Sequence, residues 1–417
     1  MLEVAIVADD LTGAADCGIA FAAAGLATFV AFGDAPPPPE TEVVSMDTDS
    51  RREAEPEAVR RARAATARAR AAGARALYRK IDSTLRGHVG PELAATLAVL
   101  TEPGGLQPVA ILAPAFPGTG RTTVGGEVLV KGELLERTEV WRDARMGVPA
   151  RPVELLRQAG LRGHVVPLAQ VRGGAGPLST ELARRAAGAV DVLVCDAEQE
   201  EDLAAIARAG ARLARPVVWT GSAGLARHLP GALGLAREGR RRVAAPGSRA
   251  AGPAVIVVGS RSSVSREQAR LLAGEPDVTQ LTVEPRVLLA GEGDPRWPGA
   301  AVVRALSAGN DLLVLVGDQP LGAERGPELA AAAARLVAPH AGRISGLVAT
   351  GGDMARALLA ALGATGLHLE GEVEPGVPLG VADVRPPLAV VTKAGAFGDP
   401  RTLSRCRAAL RARAPAA

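Results

Sequence analysis

Aromatic residues are scarce in this chain, and their scarcity excludes one large class of partner. Phe, Trp and Tyr together make up 2% of the 417 residues, and the formal charge is only +3. A protein that reads nucleic acid needs a basic stripe for the phosphates and aromatic side chains for the bases. We therefore expect no nucleic-acid partner.

Cysteine, histidine and long apolar runs are also limited. The three cysteines (Cys17, Cys195 and Cys406) are far apart and form no CxxC pair, and the five histidines include no HExxH motif. This pattern argues against a disulfide framework and against a metal site held by protein ligands. No apolar run reaches the roughly 18 residues of a membrane span, and the start of the chain lacks the basic segment of a signal peptide. We expect a cytoplasmic protein without a membrane partner.

Several nucleotide-binding and hydrolase motifs are missing as well. The chain has no GxxxxGK[ST] loop and no GxGxxG turn that opens a helix. The segment PAFPGTGRTTVGGE (114–127) is rich in glycine but lacks the Lys-Ser or Lys-Thr of a P-loop, although its Arg121 could face a ligand. A GxSxG elbow is absent too, and GSAGLARHL (221–229) is its nearest approach. These absences argue against a Walker ATPase, a nicotinamide dehydrogenase and a serine hydrolase.

Length and hydrophobic pattern predict an α/β fold of two domains. A chain of 417 residues, 47% of them apolar, exceeds what one core usually serves. Short apolar runs alternate with stretches of helical period such as 56–72 and 198–213, and residues 121–139 predict a β-rich excursion. The runs that we predict as strands are VAIVA (4–8), ATFVAF (27–32), ALYRK (76–80), VAILA (109–113), VDVLVC (190–195), PVVW (216–219), AVIVVGS (254–260), DLLVLVG (311–317), ISGLVATGG (344–352) and PLAVVTKAG (387–395). This order indicates a largely parallel sheet flanked by helices in each domain.

The boundary between the domains is predicted near residue 248. Periodicity is lost in AAPGSRAAGP (244–253), where small residues, Gly and Pro dominate. We therefore assign residues 1–247 to the first domain and residues 248–417 to the second.

In the first domain, polar residues follow two predicted strands. Asp9 and Asp10 come directly after the first strand, where ligands bind in open α/β sheets. One of them could simply cap the next helix, with help from Thr12, but capping does not account for both. After ALYRK, the polar residues Lys80, Asp82, Ser83, Thr84, Arg86 and His88 follow within one short turn. Such a set suits an anionic, hydroxylated ligand, although a solvated capping loop is the alternative.

In the second domain, three glycine-bearing turns follow apolar strands: GSRSS (259–263), TGGDMAR (350–356) and KAGAFGD (393–399). The first two lead directly into helices, whose free N–H groups can bind an anion. Three such turns favour a site for nucleotide phosphates. Asp353 is open to two interpretations, a plain helix cap or a metal-linked or base role.

These segments resemble one family. The matching motifs are ADDLTGA (8–14), KIDSTLRGHVGPEL (80–93), PAFPGTGRTTVGG (114–126), GSAGLA (221–226), the GSRS strand end (259–262), the GGD turn (351–353) and KAGAFGDP (393–400). In this order they are similar to the four-carbon acid sugar kinases, and they cover nearly the whole chain.

The resemblance implies a sugar-acid-binding first domain, a nucleotide-binding second domain and ATP-dependent phosphorylation of a terminal hydroxyl, with Mg²⁺ accompanying ATP. Residues implied to contact the substrate are Asp10, Arg51, Asp82, Ser83 and Thr84, and those implied to contact ATP are Ser260, Gly351, Gly352 and Gly395. From their positions after the strands we add Asp9 and Arg86 to the substrate site and Asp353 to the ATP site. The candidate bases are Asp10, Asp82 and Asp353. Two departures concern the nucleotide: Arg261 replaces a small residue or cysteine, and KAGAFG replaces the usual KSGNFG.

The mechanism expected from this resemblance is direct in-line transfer, with closure of the two domains expelling water. Two alternatives remain open at this point: a sugar-acid dehydrogenase or isomerase, and a two-domain binding protein without chemistry. The sequence also leaves open which acid is used (threonate, erythronate or a 3-oxo-tetronate) and whether the chain forms a homo-oligomer.

Overall fold

The computed structural model describes residues 1–101, 104–144, 149–237, 252–318 and 325–413. It divides the chain into two compact units, Met1–Arg242 and Val243–Ala417. Residues 244–251 of the expected linker lie outside the described residues, so the boundary near residue 248 stays a prediction. Both units are α/β, as the sequence predicts.

The first unit alternates strands and helices along its length. Its strands are β1 (Val4–Ala8), β2 (Thr28–Phe32), β3 (Val43–Asp47), β4 (Ala76–Lys80), β5 (Val109–Ala113), β6 (Arg121–Val124), β7 (Glu127–Val130), β8 (Glu133–Leu134), β9 (Gly163–Val166), β10 (Val192–Cys195) and β11 (Val217–Gly221). Its helices are α1 (Leu11–Ala23), α2 (Glu55–Ala71), α3 (Val89–Leu100), α4 (Glu139–Ala144), α5 (Pro152–Gln158), α6 (Leu168–Val171), α7 (Ala175–Ala186), α8 (Glu200–Gly210), α9 (Ala223–Ala226) and α10 (Leu229–Ala232).

The main sheet of this unit is parallel, in the order β2-β3-β1-β4-β11-β5-β10-β9. Successive side chains of a strand point to opposite faces of the sheet, and different helices cover the two faces. Val44 and Met46 of β3 join the core beneath α2 and α3, whereas the hydroxyl of Ser45 between them donates to Ala14 O of α1. The expected β-rich excursion is present as the antiparallel sheet β6-β7-β8.

The second unit repeats the strand–helix alternation. Its strands are β12 (Ala254–Val258), β13 (Val278–Val283), β14 (Asp311–Val316), β15 (Gly346–Thr350), β16 (Gly366–Glu374), β17 (Val377–Ala382) and β18 (Leu388–Lys393). Its helices are α11 (Ser263–Ala273), α12 (Pro285–Ala290), α13 (Gly299–Ser307), α14 (Gly326–Val337), α15 (Gly352–Ala361) and α16 (Thr402–Arg411). The strands β13-β14-β12-β15-β18 are parallel, and β17 and β16 extend the sheet as an antiparallel hairpin.

Five of these strands, β3, β9, β13, β16 and β17, were not predicted from the sequence. The strand β13 (VTQLTV) is at the edge of its sheet and half-exposed, so polar residues interrupt its apolar run. The strand β16 (GLHLEGEVE) alternates in the manner of a sheet with one covered face. Because β3 comes before ALYRK, the strand that leads to Asp82 is the fourth of the first unit.

Candidate active site

Three strands of the first unit end side by side. In the parallel ladders, Ala8 at the end of β1 is paired with Asp47 of β3 on one side and with Lys80 of β4 on the other. The chain leaves β1 for β2 and β3 on one side and then crosses to β4 on the other. Such a change of direction opens a crevice beyond the carboxyl ends of the strands, and the residues that follow β1, β3 and β4 line this crevice.

Arg51, after β3, connects the two carboxylates that follow β1. Its Nε and Nη2 donate to Asp9 Oδ2 and Oδ1 at 2.8 Å each. Its Nη1 and Nη2 donate to Asp10 Oδ2 and Oδ1 at 2.8 and 2.7 Å. The planar guanidinium suits such forked contacts, which a lysine could not make. The three side chains are therefore fixed relative to one another.

Asp10 is the N-cap of α1, as the capping interpretation of the sequence proposes for one of the two acids. Its Oδ1 accepts from Gly13 N at 3.0 Å, and Thr12 Oγ1 donates to its Oδ2 at 2.7 Å. A carboxylate offers about four lone-pair positions. Asp10 accepts two hydrogen bonds from Arg51, one from Gly13 and one from Thr12, so all four of its acceptor positions are occupied.

Asp82 is the centre of the turn that follows β4. It accepts from Arg86 Nε at 2.6 Å and from Arg86 Nη2 at 3.1 Å, and the Thr84 hydroxyl also donates to it. Leu85 has a φ of 56°, a left-handed conformation that bends the chain back on itself. Most of these bonds reach Oδ2, so Oδ1 of Asp82 keeps an acceptor position.

Nearby cations keep both acids ionised. Burial alone would raise the pKa of Asp10, but Arg51 and Lys80 hold it below the ordinary value. Burial opposes ionisation of Asp82 as well, and Arg86, Arg51 and Lys80 keep its pKa well below that of a free aspartate. The charge of Asp82 acts on Asp10, and Arg51 and Lys80 act on both acids, so the two turns are close together.

Lys80, one of the polar residues that follow ALYRK, is not among the predicted site residues, but the structure places it in this crevice. Its side chain is 5% exposed, and its ammonium makes no hydrogen bond or ion pair with any of the described residues. Both its Nζ and Asp10 Oδ1 are within 2.6 Å of the position that a Cβ on Gly13 would take. The hydroxyl of buried Ser83 likewise has no bonding partner in the described part of the chain. These groups provide donors for a ligand.

A buried polar network, which no pattern in the sequence indicates, supports the Arg51 loop. The Glu92 carboxylate of α3 accepts from Ser50 Oγ and from the fully buried Arg79. The hydroxyls of Ser50 and Thr48 are 2.8 Å apart. Gly87 closes the same region, since a Cβ there would be 3.0 Å from Asp9 Oδ2.

The glycine-rich segment 114–127 does not present its glycines to a ligand. The N–H groups of Gly125 and Gly126 donate to the Asp196 carboxylate at 2.6 and 2.9 Å. Their donors are thus used within the protein.

Arg121, at the start of β6, is near Asp82, whose negative charge acts on it. Ser222 of GSAGLA caps α9 through Gly224 N, which is a structural role.

In the second unit, the three expected turns follow adjacent strands. Val258 at the end of β12 pairs with Thr350 of β15, which pairs with Lys393 of β18. A Cβ on Gly395 would be 2.2 Å from Ser260 Oγ, so the first and last turns are in contact. The structure therefore brings the turns after β12, β15 and β18 to one edge of the sheet.

The turn after β15 depends on Gly351 more than on Gly352. Gly351 has a φ of 93° and is the N-cap of α15, and its N–H donates to Lys393 O at 2.8 Å. Gly352 is the first helical residue, so Asp353 lies in the first turn of α15 and is not its cap. The side chain of Asp353 is half-buried. The N-terminus of this helix can receive an anion.

The last turn is folded around the ammonium of Lys393. Its Nζ donates to Ala394 O at 2.9 Å, to Phe397 O at 3.1 Å and to Gly395 O at 3.2 Å. Burial lowers the pKa of Lys393 to about 8. Arg261, the other departure from the family pattern, is exposed.

Among the described residues, none of the helices is long and apolar enough to cross a membrane. No group of three or more His, Cys, Asp or Glu side chains is arranged to hold a metal ion in the part of the chain that the structure describes.

Family models match both halves of the chain. Residues 4–229 match a family described as "Sugar-binding N-terminal domain", and residues 255–403 match one described as "Nucleotide-binding C-terminal domain". Two crystal structures share the fold. One from Salmonella typhimurium LT2 has a TM-score of 0.79 at 23% identity and covers 97% of this chain and 98% of its own. The Haemophilus influenzae protein HI1011 has a TM-score of 0.72 at 22% identity, with 97% and 100% covered.

Curated relatives extend over the full length. A D-threonate kinase of Cupriavidus necator is 43% identical over 99% of this chain and 99% of that protein. A D-threonate kinase of Bordetella bronchiseptica is 38% identical, with 98% of each chain covered. A D-erythronate kinase of Heliobacterium modesticaldum is 30% identical over 97% of this chain and 96% of its own. This chain belongs to the four-carbon acid sugar kinase family.

Proposed function

We propose that this protein transfers the γ-phosphate of ATP to the terminal hydroxyl of D-threonate. The observation that carries the proposal is the full-length identity of 43% to a D-threonate kinase. The D-erythronate and 3-oxo-tetronate kinases among the relatives are 30% identical or less. No full-length identity of this kind supports a dehydrogenase or a binding protein without catalytic activity.

The crevice beyond β1, β3 and β4 is the proposed acid site. Lys80 supplies a nearly buried ammonium that has no partner in the described residues, and it is assigned to the substrate carboxylate. Asp82 Oδ1 retains an acceptor position and is assigned to a substrate hydroxyl. Ser83 contributes a hydroxyl, whereas Arg51 and Arg86 orient the aspartates. In this proposal Asp10 positions Arg51 and the start of α1, because its own oxygens are occupied.

The turns after β12, β15 and β18 are the proposed ATP site, with contacts from Ser260, Gly351, Gly352 and Gly395. Glycines allow the backbone to approach phosphates closely, and the N-terminus of α15 adds favourable electrostatics. The half-buried Asp353 fits a Mg²⁺ ion that arrives with ATP, since magnesium is typically held by one or two carboxylates and the phosphates. Such an ion would neutralise charge on the transferred group.

Asp82 is the favoured partner of the attacking hydroxyl, although its low pKa makes it a weak base. Phosphoryl transfer needs little help from a base, because its transition state is loose and depends on positioning and charge stabilisation. An ionised Asp82 that orients the hydroxyl meets that need.

A coupled assay of ADP release tests the proposal. Purified protein with Mg-ATP is given D-threonate, L-threonate, D-erythronate or L-erythronate. We expect D-threonate to give the largest kcat/KM. A larger value for D-erythronate would overturn the choice of acid, and no acid-dependent ADP release from any four-carbon acid would overturn the kinase assignment.

A further inference from the structure

Lys393 has the environment of a structural cation, yet it is in the middle of the proposed ATP site. Its side chain is fully buried, and its ammonium contacts three main-chain carbonyls of the turn that follows it. Ser265 of α11 contacts the same ammonium at 3.4 Å and donates to Gly395 O at 2.6 Å. The turn is therefore held from its inner side.

The orientation of these carbonyls determines where the N–H groups point. In a trans peptide the C=O and N–H point in opposite directions. The N–H of Gly395 shares a peptide with Ala394 O, and the N–H of Ala396 shares one with Gly395 O. Because both carbonyls face the ammonium, both N–H groups face away from it. Neither has an acceptor among the described residues.

We propose that Lys393 is a positioning residue for the nucleotide, which turns the carbonyls of this loop inward so that the N–H groups of Gly395 and Ala396 point at a phosphate. The proposal rests on the assignment of this loop to the ATP site. Outward-facing successive N–H groups form a concave site for anions. The sequence of the loop, KAGAFG, offers a phosphate no polar side chain besides the buried lysine, so recognition must come from the backbone.

The charge of Lys393 is also available to an anion. None of the described residues forms an ion pair with it. The titratable groups that face it are Glu374 of β16 and Cys406 of α16. Glu374 already binds Thr402 and Arg405, and burial raises the pKa of the Cys406 thiol to about 12, so that thiol stays neutral. The remaining contacts come from Ser265, which is uncharged.

The test compares the binding of ADP and of adenosine by calorimetry. Lys393→Met keeps the length of the side chain and removes the charge and the donors. We expect about a tenfold or larger loss of ADP affinity, the equivalent of one charge-assisted hydrogen bond, with adenosine affinity within about twofold. A purely structural role predicts equal losses for both ligands. Unchanged ADP affinity in the folded variant would overturn the proposal.

Arg407→Met is the matched control. Arg407 is another buried cation of this unit, but it pairs with Asp311 at the first residue of β14, at the opposite end of the strands. We expect it to lower the melting temperature without changing the ratio of ADP to adenosine affinity. A change of that ratio equal to that of Lys393→Met would show that general destabilisation is responsible, and would refute the proposal.

The wild-type protein provides a second test that does not depend on the folding of a variant. Because the pKa of Lys393 is about 8, the ammonium loses its proton as the pH rises from 7 to 9. We expect ADP affinity to fall over this range while adenosine affinity stays constant, and a flat ADP profile would refute the proposal. A wild-type protein that binds no ADP at pH 7 would instead refute the proposed function.

Discussion

The contact between the first and last turns of the second unit makes Gly395→Ala a sharp test of the proposed nucleotide site. The new Cβ would be 2.2 Å from Ser260 Oγ and 2.9 Å from Ser260 Cβ. Rotation of the serine relieves the first contact but not the second, so the backbone must move. Overpacking of this kind costs about 1–3 kcal/mol. A free-energy change of about 1.4 kcal/mol corresponds to a tenfold change in an equilibrium constant. Because the displaced backbone belongs to the proposed ATP site, we expect KM for ATP to rise about 5- to 150-fold.

Steady-state kinetics with each substrate varied in turn measures this effect, and KM for the acid should change little. Ser260→Gly removes both clashing atoms, so adding Gly395→Ala to that background should cost far less than in the wild type. The double-mutant cycle isolates the contact from any direct role of Ser260. Equal costs in the two backgrounds, or a Gly395→Ala enzyme with a normal KM for ATP, would show that this contact does not shape the ATP site.

The remaining predictions concern single residues. Asp82→Asn should lower kcat/KM for the acid about ten- to hundredfold, the effect of about 1.5–3 kcal/mol, and normal acid kinetics would remove Asp82 from the site. Arg51→Lys should lower the melting temperature, and most at neutral pH. The lowered pKa of Asp10 stabilises the fold above the ordinary aspartate pKa of about 4, and this stabilisation is lost as the pH falls below that value. A melting-temperature difference between variant and wild type that grows on acidification would contradict this. Gly351→Ala should cost about 1–3 kcal/mol, measured by denaturant unfolding, because a φ of 93° with a ψ of 142° is a conformation that alanine rarely adopts; an unchanged unfolding free energy would contradict this.

Much of the fold could be predicted because parallel strands carry a clear signal. The strands β1, β5, β12 and β15 are covered on both faces, so nearly all of their residues are apolar. The helix predicted at 56–72 is confirmed to within one residue at each end. Edge and hairpin strands such as β13 and β16 carry polar residues on an open face, and a search for apolar runs overlooks them.

The candidate site was predictable only in part. Asp9, Asp10 and Asp82 were predicted because polar residues at strand ends stand out in an apolar sequence. The pairing of Arg51 with both aspartates depends on strand order, which no local pattern contains. The buried Arg79–Glu92 pair is 13 residues apart in sequence and resembles any surface pair until the fold buries it.

Identification of the reaction product shows whether this protein phosphorylates D-threonate at its terminal hydroxyl. Protein, Mg-ATP and D-threonate are incubated, and the product is examined by mass spectrometry and by phosphorus NMR coupled to the carbon-bound protons. We expect one phosphomonoester on the terminal carbon, formed in a one-to-one ratio with ADP and only in the presence of the acid. ADP formed together with inorganic phosphate, or a phosphate attached to the carboxyl group, would contradict it.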